Sequence, residues 1–385
     1  MKKIAWIFEA DQLTAELAQI RKTIHRDPEI GGKEFHTAAL VESLLQKCGI
    51  ETVRLTSTSV MGILRGAKPG DTVALRADMD ALPVQEETGA DFASQTPGMM
   101  HACGHDVHTT CLLGAAKLLS MHRDELCGNV KFFFQHDEEG RGGAMHMIDA
   151  GCMENPKVSA VFGAHVAPDL PLGTIGLRNG KFYAANDFFY LKVVGIGCHG
   201  ARPESGNNPL RAASDLLLRL QQLPERFPEE KTVVSVCTFH AGTKANIIPD
   251  YAELSGTIRT LGHDTRTAMQ NLFMKTVSSV EETYAVQVEV QYTEAHPGIV
   301  NTDEMTDFVR QTLQQNFTLC ELTEPTMISE DFGFFVDACK GSFYHFGTGG
   351  EHELHSAKFL PDESLLPLGA AAHACVAWNY LAKQR

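Results

Sequence analysis

The chain has 385 residues, 43% of them hydrophobic and 21% charged, with a formal net charge of −15. This length and apolar content suit a soluble globular protein of about two domains with a substantial buried core. The acidic balance, with no long basic cluster, speaks against a phosphate-tracking surface and so against nucleic acid or anionic membrane as partners.

The chain opens on Met1-Lys2-Lys3 and a short apolar run, Ile4 to Phe8, which Glu9 and Asp11 end; no small-residue cleavage site follows. This is too short for a secretory leader. No stretch approaches 18 apolar residues, so no membrane span is expected. The ten cysteines are scattered without paired spacing, as reduced thiols in a cytoplasmic protein would be.

Helical spacing of apolar positions runs from Leu13 to Ile24 and from Thr37 to Leu45. Three apolar runs then read as buried strands, Thr72–Ala77, Val130–Phe134 and Ala160–Val166, with an Ala- and Leu-rich helix, Thr109 to Met121, between the first two. This alternation predicts an α/β fold with a largely parallel mixed sheet.

The middle of the chain changes pattern. Strand Phe188–Val194, helix Asn208–Arg226, strands Val233–His240 and Ala252–Thr260, helix Asp264–Tyr284 and strand Val286–Tyr292 follow in order. The βαββαβ succession is the ferredoxin-like arrangement. After Pro297 the chain returns to strand at Ser342–Phe346 and helix at Leu366–Leu381. The expected organisation is a discontinuous catalytic domain of residues 1–184 and 298–385, interrupted by an inserted domain of residues 185–297.

Residues suited to chemistry fall at strand ends. Met100-His101-Ala102-Cys103-Gly104-His105-Asp106-Val107-His108 joins a strand to a helix. A Cys-x-His pair alone is commonly packing. Here Arg76-Ala77-Asp78-Met79-Asp80 ends one strand, Gln135-His136-Asp137-Glu138-Glu139 ends the next, and His165 ends a third. In open α/β sheets, sites gather at the carboxyl ends of strands. His355 lies beyond a glycine-rich turn at Gly347 to Gly350. Cys103, His105, Glu139, His165 and His355 together exceed one tetrahedral zinc site and suit two ions with a bridging water. Adjacent Glu138 would then move the proton, as a general base.

These residues resemble a known family. RADMDALP (76–83), MHACGHDVH (100–108), the pair at 138–139 and GTIRT (256–260) are similar to motifs of the aminoacylase and carboxypeptidase superfamily of metallopeptidases. The cysteine points to the branch with hippurate, indole-acetyl-amino-acid and aminobenzoyl-glutamate hydrolases. The likeness runs from about His25 to the C-terminal helix. It implies that Cys103, His105, Glu139, His165 and His355 bind a dinuclear centre and that Glu138 is the base. It also implies that the inserted domain is a lid that mediates a homodimer, with His199 stabilising the oxyanion and Asn246 and Arg259 holding the substrate carboxylate. Asp80 reads either as support for a ligand or as a strand-end cap. His101, Asp106 and His108 read as groups that support the ligands or cap the helix, since Asp106 opens it where a carboxylate suits the N-terminus.

The expected activity is metal-dependent hydrolysis of a small-molecule amide, an N-acyl or N-aroyl amino acid, to a carboxylic acid and a free amino acid. A dipeptidase or carboxypeptidase on the same centre is the alternative; a non-catalytic metal-binding homologue fits less well, since Glu138 and all five ligands occur together. Thiolate with imidazole favours zinc, nickel or cobalt over magnesium, and the family adds manganese. Two departures from the branch stand out: His136-Asp137 replaces a usual Pro-Ala, and the lid motif reads Gly197-Cys198-His199-Gly200.

Overall fold

The computed structural model describes residues 5–140 and 142–383; Met1–Ile4, where the leader-like start begins, lie outside them. The chain divides into two compact units. The larger takes residues through Gly180, Asn301–Thr323 and everything from Asp331 onward; the smaller takes Lys181–Val300 and Glu324–Glu330. Principal strands in chain order are β1 (Glu51–Arg54), β2 (Val60–Arg65), β3 (Lys68–Asp78), β4 (Cys127–Gln135), β5 (Ala160–Ala167), β6 (Thr174–Leu177), β7 (Ala185–Val194), β8 (Val233–Ala241), β9 (Tyr251–Thr260), β10 (Gln287–His296), β11 (Thr318–Glu321) and β12 (Gly341–Gly347).

The larger unit is built on an eight-stranded mixed sheet in the order β1-β2-β4-β3-β5-β12-β6-β11. Its centre, β4-β3-β5-β12, is parallel throughout. Buried parallel strands carry continuous apolar runs because helices cover both faces. Accordingly Phe132, Phe133 and Phe134 of β4 are fully buried, as is every residue of β5. From β3 the chain goes to β4 on one side and then back to β5 on the other. The ends of these three strands therefore lie side by side where the strand order reverses, the place such sheets use for sites.

Several helices complete this core, two of them buried almost throughout. His105–Met121 is buried along nearly its whole length, and so is Leu365–Lys383. The latter is long and apolar enough, on average, to cross a membrane, a property no uninterrupted apolar run announced. However, 83% of its apolar window is buried inside the unit, where it packs with Val107, Leu112 and Phe346 in one hydrophobic cluster. It is a core helix. Truncating a buried leucine such as Leu118 or Leu366 there would cost about 2–5 kcal/mol.

The smaller unit has a four-stranded antiparallel sheet in the order β8-β9-β7-β10. Burial alternates along β9, with Ala252, Leu254 and Ile258 turned inward, the period of a sheet covered on one face. Leu216 and Leu220 from helix Pro209–Gln221, and Phe273 and Val277 from helix His263–Tyr284, pack on that face. Buried Asp187 accepts hydrogen bonds from Arg266 at 3.0 Å and from the Tyr292 hydroxyl at 2.6 Å, which satisfies a charge the sheet would otherwise strand. Segment Glu324–Glu330 belongs to this unit through Thr326 N–H to Phe182 O at 2.9 Å and Ala184 N–H to Ile328 O at 3.0 Å.

Candidate metal centre

The centre grows from the ends of β3, β4 and β5 and the start of the helix His105–Met121. Gly104 precedes that helix with φ of +85°, and a Cβ on it would fall 2.6 Å from Val166 Cγ2. Only glycine meets both demands. The turn it makes lets Cys103 and His105, on either side, share one pocket.

Six side chains read from the sequence converge within the larger unit. The donor atoms of Cys103, His105 and His165 lie within 4.8 Å of one another; so do those of Cys103, Glu139 and His355, and those of His105, Glu138 and Glu139. Cys103 is common to the first two groups. Its Sγ stands 3.3 Å from Nε2 of His165. His355 Nε2 lies 3.1 Å from Glu139 Oε1, on a loop pinned by its own N–H to Ala102 O at 2.8 Å. Cys103, His105, Glu138 and His165 are buried; the His355 side chain is 53% exposed. The site therefore has a closed floor, with Glu139 and His355 as its accessible side chains.

The surroundings fix which nitrogens face the pocket. His165 Nδ1 is 2.7 Å from Val166 O, a carbonyl that can only accept, so Nε2 carries the lone pair. His105 Nδ1 lies 3.2 Å from Asp80 Oδ1, and its buried Nε2 has no hydrogen-bond partner. Asp80 Oδ2 accepts the backbone N–H of Glu139 at 3.0 Å. Such carboxylate–histidine pairs orient metal ligands. Asp80 thus holds both the ring of His105 and the backbone at Glu139.

Electrostatics fit a cation. Burial, then the charges of Glu139, Glu138 and Asp78, hold the Cys103 thiol well above its ordinary pKa. Burial holds His165 well below its own. For His105 burial opposes the charged ring, but Asp78, Asp80 and Glu139 raise it to about 10. A pocket with several carboxylates, an imidazole lone pair and a buried nitrogen that has no hydrogen bond among the described residues has the donor set and negative charge that a divalent ion matches.

In the scaffold beneath, where sequence reasoning expected Asp331 to anchor a loop and His108 to support the site, it assigned no role to Arg76. Fully buried Arg76 donates to Asp78 Oδ2 at 2.6 Å, to Gln135 Oε1 at 2.7 Å and to Asp331 Oδ1 at 2.8 Å. Asp331 also accepts the N–H of Ala144 at 3.0 Å. His108 spends both ring nitrogens, Nδ1 on Asp78 at 2.6 Å and Nε2 on the N–H of Val166 at 2.9 Å, so it braces the pocket. An arginine inside an apolar strand was the available signal. Of the two readings of Asp106, the cap is corrected: among the described residues no side chain caps the helix. Its carboxylate instead pairs with Arg21 at 3.0 Å and His25 at 2.9 Å, because two buried cationic groups need an anion more than the helix needs a cap. His136 is buried and stacks on His146, with ring centroids 5.6 Å apart.

His199, Asn246 and Arg259 belong to the smaller unit. His199 is exposed on the short strand Cys198–His199, opposite Ile247, and its Nδ1 accepts the N–H of Ala201 at 3.1 Å. Asn246 lies alongside, its carbonyl accepting the N–H of Gly200 at 2.9 Å. Half-buried Arg259, on β9, donates from Nη1 to Met327 O at 3.0 Å.

Residues 74–379 match the model of peptidase family M20/M25/M40. Thermostable carboxypeptidase 1 of Saccharolobus solfataricus is 41% identical over 94% of this chain and 95% of its own. The hippurate hydrolase of Campylobacter jejuni is 35% identical over 96% and 97%. A crystal structure from Bacillus subtilis, described as a dinuclear metal binding peptidase of family M20, superposes with a TM-score of 0.87 at 32% identity, covering 97% of this chain and 99% of that one. The chain belongs to peptidase family M20/M25/M40 and is a metal-dependent amidohydrolase.

Proposed function

We propose that this M20/M25/M40 peptidase cleaves N-acyl or N-aroyl amino acids to a carboxylic acid and a free amino acid, with two divalent ions held by Cys103, His105, Glu139, His165 and His355. The observation that carries the reading is the presence of Cys103 in two separate donor groups, one with His105 and His165 and one with Glu139 and His355. The Cys103 thiolate would offer a ligand to either group, its negative charge offsetting part of the charge of the ions held there. When bound, such a pair polarises the amide carbonyl and lowers the pKa of the attacking water toward roughly 7. Zinc, manganese, nickel or cobalt suits the mixed sulfur, nitrogen and oxygen donors.

The chain's own residues do the rest. Glu138 takes the proton from the attacking water and returns it to the leaving nitrogen, work typically worth about 10²–10⁴-fold. Its burial beside His105 and Glu139 supports this role. Asp80 keeps His105 aimed and Glu139 in register. His199 stabilises the developing oxyanion, and Arg259 with Asn246 holds the substrate's free carboxylate through the bidentate fork arginine offers.

The antiparallel strand order of the smaller unit supports reading residues 185–297 as a ferredoxin-like insert, with residues 1–184 and 298–385 as the catalytic domain. We assign that insert the roles of lid and homodimer contact. Ten free cysteines suit a cytoplasmic enzyme.

Turnover by the metal-reconstituted protein of N-acetyl and N-benzoyl amino acids, set against unblocked dipeptides and N-blocked dipeptides, tests the assignment. Faster hydrolysis of the simple N-acyl amino acids is expected. The relative named a carboxypeptidase favours a second reading on the same centre: preference for N-blocked peptides would replace the first reading with that one. No hydrolysis of any amide with bound metal would reject both.

A further inference from the structure

Glu34 is fully buried, yet nothing in its own helix uses it. It stands at the N-terminal boundary of helix Phe35–Lys47, where a side chain normally accepts the first free N–H groups. Glu29 does that instead, taking His36 N–H at 3.0 Å and Thr37 N–H at 2.9 Å. Glu34 turns inward. Its Oε1 accepts the N–H of Gly32 at 3.0 Å and, from more than a hundred residues away, the N–H of Asp137 at 2.9 Å.

Asp137 precedes Glu138 and Glu139 and has φ of +53°, a left-handed conformation that non-glycine residues adopt only when neighbours hold them there. Its carbonyl accepts the N–H of Gly143 at 3.2 Å. A Cβ on Gly31 would fall 2.0 Å from Asp137 Oδ1 and 3.2 Å from its Cα, so the segment before Glu34 lies directly on this turn. The same segment reaches the neighbouring strand end: Ile30 bridges Ala81, and Ala81 N–H donates to Glu29 O at 2.8 Å. Residues 29–34 therefore touch both Ala81, beside Asp80, and Asp137, beside Glu138.

We propose that Glu34 is a positioning residue for the reaction: through the N–H of Asp137 it locks the left-handed turn that presents Glu138 and Glu139 to the centre. The inference rests on the reading of Glu139 as a ligand and Glu138 as the base. Two oxygen-bearing variants separate reach from charge. Glu34→Gln keeps an acceptor oxygen at full length, whereas Glu34→Asp keeps the carboxylate but pulls it back by one carbon–carbon bond.

Equilibrium dialysis of the full chain against cobalt(II) counts bound ions, and the thiolate-to-cobalt absorption reports Cys103 independently of turnover. The expected result is two ions and near-normal kcat for E34Q. E34D should keep one ion and the Cys103 absorption while kcat falls about 10–100-fold, the usual cost of losing a group that supports a ligand. Circular dichroism and melting confirm folding. If E34D does not fold, Gly31→Ala crowds the same turn and should lose the same ion. Two ions and wild-type kcat in folded E34D, or in G31A where that replaces it, overturns the inference, as does an E34Q that fails as badly as E34D. A wild-type chain that binds no cobalt overturns the reading of the centre, and the role of Glu34 with it.

Discussion

Asp80 and His105 stand 3.2 Å apart, carboxylate oxygen to Nδ1, and this contact decides which nitrogen of the ring looks into the pocket. Because the other oxygen of Asp80 accepts the N–H of Glu139, its loss releases both His105 and Glu139 at once. Asp80→Ala should lower metal affinity or activity by about 10–100-fold. Asp80→Asn should recover only part, since an amide cannot accept at both positions. Metal titration followed by equilibrium dialysis checks this.

Glu138→Gln preserves size and removes the base. The variant should bind metal and substrate as the parent does while kcat falls about 10²–10⁴-fold. Unchanged turnover would remove Glu138 from the reaction.

The shared thiol predicts an asymmetry between ligand deletions. Cys103→Ala should weaken both ions, whereas His355→Ala, which stands in only one of the two Cys103 groups, should weaken one. Metal per chain measured after dialysis distinguishes them, and equal losses would contradict the bridging role.

A buried network away from the pocket carries a pH signature. His25 lies between Asp106 at 2.9 Å and Glu86 at 3.2 Å, with Arg21 also on Asp106 and the ring of His101 6.2 Å away. Burial opposes its charge, but the two carboxylates raise it to about 9. A raised histidine pKa stabilises the fold fully below the unfolded value of about 6.5, and that contribution fades as pH climbs through 9. His25→Ala should cost about 1–3 kcal/mol near pH 6.5 and less at pH 9.5. Urea unfolding of both proteins at the two pH values would show it; a constant difference would argue against a charged ring.

Arg259→Ala should reduce kcat/KM by roughly 10–100-fold for substrates with a free carboxylate, the scale of one or two charge-assisted hydrogen bonds. Substrates whose carboxylate is amidated should be affected little. Steady-state kinetics on the two substrate types gives the answer.

The sequence made the sheet's central strands and the buried helices legible, since a run such as Phe132-Phe133-Phe134 has few uses other than a covered strand. It also marked Glu139 and His165, which sit at or just past such strands, and Cys103 and His105, which lie at the start of the buried helix His105–Met121. His355 was harder. It follows no strand, and its left-handed φ of +65° and the bond to Ala102 O are what bring it in. Edge strands such as β1 and β11 escaped notice because half-exposed four-residue segments leave little periodicity. Glu324–Glu330 gave no sign of joining the smaller unit, since backbone bonds such as that of Thr326 leave no mark on side-chain pattern. Arg76 was opaque for a related reason: a charged residue in an apolar strand announces a partner without naming it; Glu34, among Gly32, Lys33 and His36, announced nothing.

The interrupted layout of the larger unit bears on how the protein is made. Helix Leu365–Lys383 shares one cluster with Val107 and Leu112 from the first half of the chain. A ribosome delivers those early residues long before their last covering helix exists. The contiguous stretch from Lys181 to Val300, with its own cluster, has nearly all its parts by then, so it can fold while its host still waits with apolar surface uncovered. Chaperone demand during synthesis should therefore fall on the half that will hold the metal.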